Sequence, residues 1–182
     1  MNFFWVFNLV LLLMIQVHAA ADDGLITAAC KKAVAESPKV NYDFCVSSLE
    51  ADPKSNTYDI FALSVESYKH LLEKENSIKS YINKLLKDGK QSPEVKLALD
   101  GCSQDYSDTT EPTEDALASF RARDYNASFT LLQVILGCLE HCTDRFDGKI
   151  TSPLEKEENE FFQLIVISNA ITEMALDIQP LS

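Results

Sequence analysis

Five cysteines, Cys30, Cys45, Cys102, Cys138 and Cys142, are the side chains of this 182-residue chain best suited to covalent chemistry. They follow an apolar leader, Phe3 to Val17, that gives way to His18-Ala19-Ala20-Ala21 before the first acidic residue, Asp22. About fifteen apolar positions suit the core of a signal peptide, whereas a bilayer-spanning helix needs about twenty. The expectation is a signal peptide over residues 1–21, cleaved after Ala19 or Ala21, and a mature chain over residues 22–182 with no membrane span. A secreted chain folds in an oxidising compartment, where cysteines form disulfides.

Other groups capable of chemistry are sparse. Beyond the leader only His70 and His141 remain, with no His-x-x-x-His pair, nucleophile elbow or glycine-rich phosphate loop. A helix-face or capping role suits each histidine better than catalysis. Cys138, His141 and Cys142 have the look of zinc ligands, but a bridge through Cys142 in an oxidising compartment removes the set. Carboxylate pairs such as Glu157 and Glu160 recur at every spacing in so acidic a chain and describe a solvated helix face. The expectation is a protein that is not an enzyme and takes no metal or cofactor. A formal net charge of −12 leaves no basic stripe for nucleic acid, and suits solubility or a basic protein partner.

The elements that would carry these residues are helical. Five glycines in the whole chain, little period-two alternation and apolar residues at three and four spacing exclude a sheet protein. After Asn56-Thr57 one stripe runs Phe61, Val65, Tyr68, Leu72, Ile78, Ile82 and Leu85, and stops at Asp88-Gly89. Ser92-Pro93-Glu94 starts a second helix with Val95, Leu97 and Leu99 on its apolar side. Pro112, within the acidic stretch Asp108 to Asp115, predicts a kink or break. The pattern resumes at Ala116, Leu117 and Phe120 and reaches a polar corner, Arg121 to Asn126. From Ala127 a further stripe, Phe129, Leu132, Ile135 and Leu136, leads through Cys138 and Cys142 to Phe146, with Asp147-Gly148 as its stop. Ser152-Pro153-Leu154-Glu155 has the form of a capping box with proline at the first helical position. The last helix carries Phe161, Phe162, Leu164, Ile165, Ile167, Ile171 and Met174. The fold expected is all-α: four long helices over residues 56–182 that most simply form an up-and-down bundle, preceded over residues 22–55 by two shorter apolar segments.

The two shorter segments, Leu25 to Ala35 and Tyr42 to Leu49, are too short to hold as isolated helices in water. Five cysteines with one left free allow fifteen pairings; the local pair Cys30–Cys45 is the first choice, closing a loop that chain-entropy estimates value at about 3 kcal/mol. A second bridge joins Cys102 to either Cys138 or Cys142, which lie four apart on one helix face, and is worth about 4 kcal/mol. Spacing leaves that choice open. The unpaired thiol is expected to be a buried apolar group.

Several stretches together resemble one family. Residues 37–45, SPKVNYDFC, run on through VSSLEADPKS to Ser55; later come LALDGCSQDY around Cys102 and Tyr106, the corner RARDYNAS, and CTDRF from Cys142 to Phe146. Their order and spacing are similar to those of the plant invertase and pectin methylesterase inhibitor family across essentially the whole mature chain. The resemblance implies a helical hairpin packed on a four-helix bundle, with bridges Cys30–Cys45 and Cys102–Cys142 and Cys138 free. It also implies a monomeric secreted protein of the apoplast or vacuole that inhibits an enzyme by stable complex formation. The expected target is acid invertase, a β-fructosidase, with pectin methylesterase as the alternative and a non-inhibitory helical protein or apolar-ligand carrier as the second alternative.

Invertase inhibitors of the family resemble one another in a Pro-Lys-Phe element; the matching positions here are Tyr125, Asn126 and Ala127, so that element is absent. The corner is nonetheless the expected contact surface. Arg121, Arg123 and Asp124 would supply polar contacts and Tyr125 an aromatic anchor, with Asn126 and Ala127 beside them. Asn126-Ala127-Ser128 is a glycosylation sequon, so a glycan is expected on Asn126.

Overall fold

The structure, a computed structural model, describes residues 24–178 except Asp147 and Lys149; the expected leader lies outside them. Helices α1 (Leu25–Glu36) and α2 (Tyr42–Leu49) form the hairpin, and a 3₁₀ turn, Ser55–Thr57, leads into the rest. The bundle comprises α3 (Ile60–Asp88), α4 (Pro93–Ser107), α5 (Thr110–Arg121), α6 (Tyr125–Asp144) and α7 (Glu155–Asp177). Helices α4 and α5 together serve as one interrupted rod, so the layout is a four-helix up-and-down bundle.

Local chemistry explains most boundaries. The Asp59 carboxylate accepts from the Ala62 amide at 2.8 Å and starts α3, which runs about 43 Å at 1.5 Å per residue. Gly89 ends it at φ 69°, a left-handed conformation that glycine adopts without the strain of a Cβ. Ser92 caps α4 by accepting from Val95 N at 3.3 Å, with Pro93 in the first turn.

Two expected starts and stops differ. Ser152 does not cap a helix with Glu155 as its partner. Its hydroxyl accepts from Leu154 N at 3.1 Å and donates to Glu158 Oε2 at 3.2 Å, and α7 begins only at Glu155. Helix α6 ends at Asp144, before the expected Asp147-Gly148 stop, where Arg145 serves as its C-cap.

The apolar faces also differ from the stripes. Leu97 is 76% exposed, and α4 turns Ala98, Leu99, Cys102 and Tyr106 inward instead. On α3, Leu63 and Leu71 are buried whereas Phe61 lies at the surface. Tyr68, Tyr106, Phe120 and Phe161 fill the bundle axis, packed with Ile78, Ile82, Leu99, Leu132 and Ile135. A filled axis of this kind leaves the apolar-carrier alternative without a chamber along those residues.

The hairpin is not a loose arm. Ile26, Ala29, Cys30, Ala33, Cys45 and Leu49 form a second core with Leu63 of α3 and Ile167, Ala170 and Ile171 of α7. Lys32 pairs with Glu173 at 2.6 Å, and the Asn41 amide donates to Gln163 Oε1 at 2.8 Å. Cys30 is joined to Cys45 inside this core.

Candidate functional site

The α5–α6 corner is made by a short set of backbone bonds. Ala122 closes α5, the Arg123 amide donates to Phe120 O at 2.9 Å and the Asp124 amide donates to Ser119 O at 2.9 Å. This pair of bonds is the Schellman arrangement, which requires a left-handed residue where Arg123 stands. Arg123 sits there at φ 64°, and is the one positive-φ residue other than glycine among those described. A side chain in that conformation costs on the order of 1 kcal/mol. Asp124 then reverses the chain by accepting from Ala127 N at 3.0 Å, which caps α6.

Beneath the turn lies an aromatic wedge. Phe120 sits 5.0 Å from Tyr125, 5.8 Å from Tyr68 and 5.4 Å from Phe61, centroid to centroid. Tyr68 Oη lies 2.6 Å from Ser128 Oγ and 2.8 Å from Thr172 Oγ1, and Ser128 Oγ donates to Ala116 O at 2.9 Å. Burial raises the Tyr68 phenol above its ordinary pKa, so it stays a neutral donor in this network.

The six residues expected to meet a partner therefore divide. Arg121, Arg123, Asp124 and Asn126 are exposed, and Ala127 is half-buried. Tyr125 is only 6% exposed: its ring packs on Phe120, so it wedges the corner from inside and is not a surface anchor. The reason is register. The first residue of α6 faces the bundle axis once Asp124 caps the helix, and the second, Asn126, faces out. Ser128 of the sequon is likewise fully buried, with its hydroxyl bonded inward.

Beside the corner is an open groove of about 280 Å³, lined by Tyr125, Asn126 and Phe129 of α6 and by Thr172, Glu173, Leu176 and Asp177 of α7. Residues from the C-terminal end of α7 were not foreseen as part of this surface. Leu176 and Ile178, 42% and 65% exposed, extend past the buried stripe of α7 and are the one sequence signal that could have found it.

The other end of α6 holds structural chemistry. Cys102 is joined to Cys142, so neither sulfur is a thiolate that a metal could use, although Glu158 lies within 4.8 Å of both. Cys138 is the free cysteine, half-buried, and burial pushes its thiol pKa up, away from reactivity. Arg145, the C-cap of α6, forks onto Asp105 of α4 at 2.6 and 2.9 Å. A Cβ at Gly101 would meet the guanidinium at 2.4 Å, so a larger residue there would have to push the Arg145 side chain aside. His70 lies 3.7 Å from Glu66 on α3, and His141 is exposed on α6. Glu160 pairs with Lys74 and Lys156, as a helix-face carboxylate does, and Glu157 is half-buried on the same helix.

The molecule is thus a disulfide-braced helical bundle with a pre-ordered, exposed polar turn between α5 and α6. The chain belongs to the plant invertase/pectin methylesterase inhibitor family, whose model matches residues 24–171. It is 38% identical over 166 residues to the protein named "Putative invertase inhibitor" of Platanus acerifolia, covering 90% of this chain and 91% of that one. It is 33% identical over 157 residues to "Pectinesterase inhibitor 12" of Arabidopsis thaliana, covering 85% of this chain and 90% of that one. A crystal structure of a mutant pectin methylesterase inhibitor from Arabidopsis superposes with a TM-score of 0.68 at 18% identity, covering 82% of this chain and 95% of that one. That likeness establishes the helical-bundle fold.

Proposed function

We propose that the chain is a secreted inhibitor of plant acid invertase that blocks the enzyme's active-site cleft through the α5–α6 corner. The observation that carries this reading is the division of the corner: Tyr125 and Ser128 lock it from beneath, while Arg121 and Arg123 stand exposed with no ion pair among the described residues. A pre-ordered turn loses little conformational entropy on binding, and exposed arginines supply directional contacts to carboxylates such as those of a glycosidase cleft. The name carried by the Platanus relatives supports invertase as the target.

Pectin methylesterase is the second reading, favoured by one observation. Tyr125, Asn126 and Ala127, the positions matching the Pro-Lys-Phe element, form the first turn of α6 with the only aromatic ring turned inward. No apolar side chain among the three projects into a cleft. The mature, oxidised chain, expected in the apoplast or vacuole, is to be titrated against purified acid invertase and pectin methylesterase in parallel at mildly acidic pH. Inhibition of invertase alone is expected, and inhibition of pectin methylesterase alone transfers the role to the second reading. Inhibition of neither, across several isoforms, removes the inhibitor role. Replacing both Arg121 and Arg123 by Ala should raise the inhibition constant about tenfold or more, the scale of lost interfacial arginine contacts. A glycan on Asn126 would crowd this surface, and its presence is to be read by mass spectrometry of plant-expressed protein.

A further inference from the structure

The second concentration of positive charge lies at the other end of α3. Residues 79–96 hold five of the sixteen basic residues, Lys79, Lys84, Lys87, Lys90 and Lys96, against only Asp88 and Glu94, in a chain of net charge −12. Lys79 is committed to the buried Glu75 at 2.7 Å, and Lys90 reaches Asp88 at 3.0 Å while its side chain stays 78% exposed. Lys84 and Lys87 are exposed and, among the described residues, form no ion pair despite the surplus of acids. Spaced three apart, they share one face of the helix. The helix dipole favours a cation in the last turn, which accounts for Lys87 but not for Lys84, Lys90 or Lys96.

Lys84, Lys87 and Lys90 rim a shallow depression of about 740 Å³ whose other walls are Ser80, Asn83 and Asp88. Cations interleaved with a primary amide and a hydroxyl suit a ligand that alternates carboxylates with sugar hydroxyls. The patch lies about 39 Å along α3 from Phe61, taking 1.5 Å per residue, and Phe61 touches the corner wedge. A partner held at the corner would leave this end free.

We propose that the Lys84–Lys87–Lys90 patch binds an acidic polysaccharide of the polyuronate type. The patch would hold the protein on an anionic matrix while the corner engages a protein partner. The assignment rests on the charge pattern of α3 and does not depend on the inhibitory reading.

The probe is soluble polygalacturonate in calcium-free buffer, with highly methyl-esterified polymer, neutral dextran and heparin as comparison ligands, measured by affinity electrophoresis at several salt concentrations. Binding to polygalacturonate that weakens with salt, exceeds that to esterified polymer and dextran, and is at least matched in strength to heparin is expected. Combined Lys84→Gln, Lys87→Gln and Lys90→Gln should weaken it about tenfold or more, with unchanged far-ultraviolet dichroism. Arg121→Ala with Arg123→Ala should leave it within about twofold, because the two sites are separated by several Debye lengths at physiological salt. Absence of binding, an unchanged affinity in the lysine variant, or a marked preference for heparin would each overturn the proposal. Enzyme inhibition assayed on the same lysine variant reports separately on the corner.

Discussion

Helix α5 is bounded by two bends that solve the same problem in opposite ways. At its start, the α4–α5 break at Asp108-Thr109 is locked from inside the protein. Glu75 of α3, 1% exposed, accepts from Thr110 Oγ1 at 2.6 Å and Thr113 Oγ1 at 3.1 Å, and pairs with Lys79 at 2.7 Å. A carboxylate placed at the first turn of α5 also complements the positive end of that helix. Pro112 falls within this first turn, where a missing amide costs no intrahelical bond. At its end, the α5–α6 corner holds its form through backbone bonds, a strained Arg123 and an aromatic wedge, and turns its charges outward. A bend whose polar groups are consumed internally is architecture; a bend whose polar groups are left free is available to a partner.

The largest test of that contrast removes the buried carboxylate. Glu75→Ala removes the acceptor shared by Lys79, Thr110 and Thr113, of which Thr113 keeps the Thr109 carbonyl and Lys79 the Thr110 hydroxyl, and should lower unfolding free energy by about 2–3 kcal/mol, read by chemical denaturation. Inhibition by the fraction still folded should not change; a selective loss of inhibition at full folding would show that the first bend also serves the partner surface.

Ser128→Ala should follow, at about 1–2 kcal/mol, because Tyr68 and the Ala116 carbonyl each lose a buried partner. Thermal unfolding would read the loss, and a matching rise in the inhibition constant would connect the wedge to the corner's contact geometry. An unshifted melting temperature would mean that the network does not hold the corner.

A smaller effect is expected at Glu158, beside the Cys102–Cys142 bridge. Burial raises its carboxyl pKa, opposed by the Ser152 hydroxyl that donates to it. With the folded value above the unfolded one, its contribution is fully present below the unfolded carboxyl range, near 4.3, and is lost as pH rises through the folded value. Glu158→Gln should flatten that decline, so variant and wild type diverge in stability toward neutral pH. Equal slopes between pH 4 and 7 would refute the assignment.

The smallest change in stability is expected at Arg123→Gly. Relief of roughly 1 kcal/mol of left-handed strain is offset in part by the chain entropy of glycine, leaving a net effect within about 0.5 kcal/mol. Inhibition should weaken all the same, since the guanidinium is gone. If inhibition holds while the fold is unaffected, Arg123 is a turn residue only, and the contrast between the two bends narrows to Arg121.

Much of the fold was legible because it is encoded locally. Ser92-Pro93 and Gly89 act where they stand, and helical spacing names helices without knowledge of their neighbours. The helix faces were less legible. The stripe on α3 placed Phe61 with the core and passed over Leu63, Leu71 and Glu75, because a carboxylate reads as surface until its threonine partners on α5 are known, and Ser64 and Ser67 read as surface although their hydroxyls bond back to carbonyls of α3 itself. The same limit applied to the corner. RARDYNAS announces a polar turn, yet Tyr125 faces inward because of the register that the Asp124 cap imposes and the space that Phe120 leaves.

By itself, the sequence determined an all-helical chain with an oxidised framework, a break near Pro112 and an acidic surface, since composition, periodicity and capping chemistry are properties of neighbouring residues. Only the tertiary structure decided which α7 residues line the groove, that Glu75 locks one bend, and that among the described residues Arg121, Arg123, Lys84 and Lys87 meet no acid. Those outcomes depend on side chains tens of residues apart meeting across the bundle. Pairing across such distances is set by packing, and no local spacing records it.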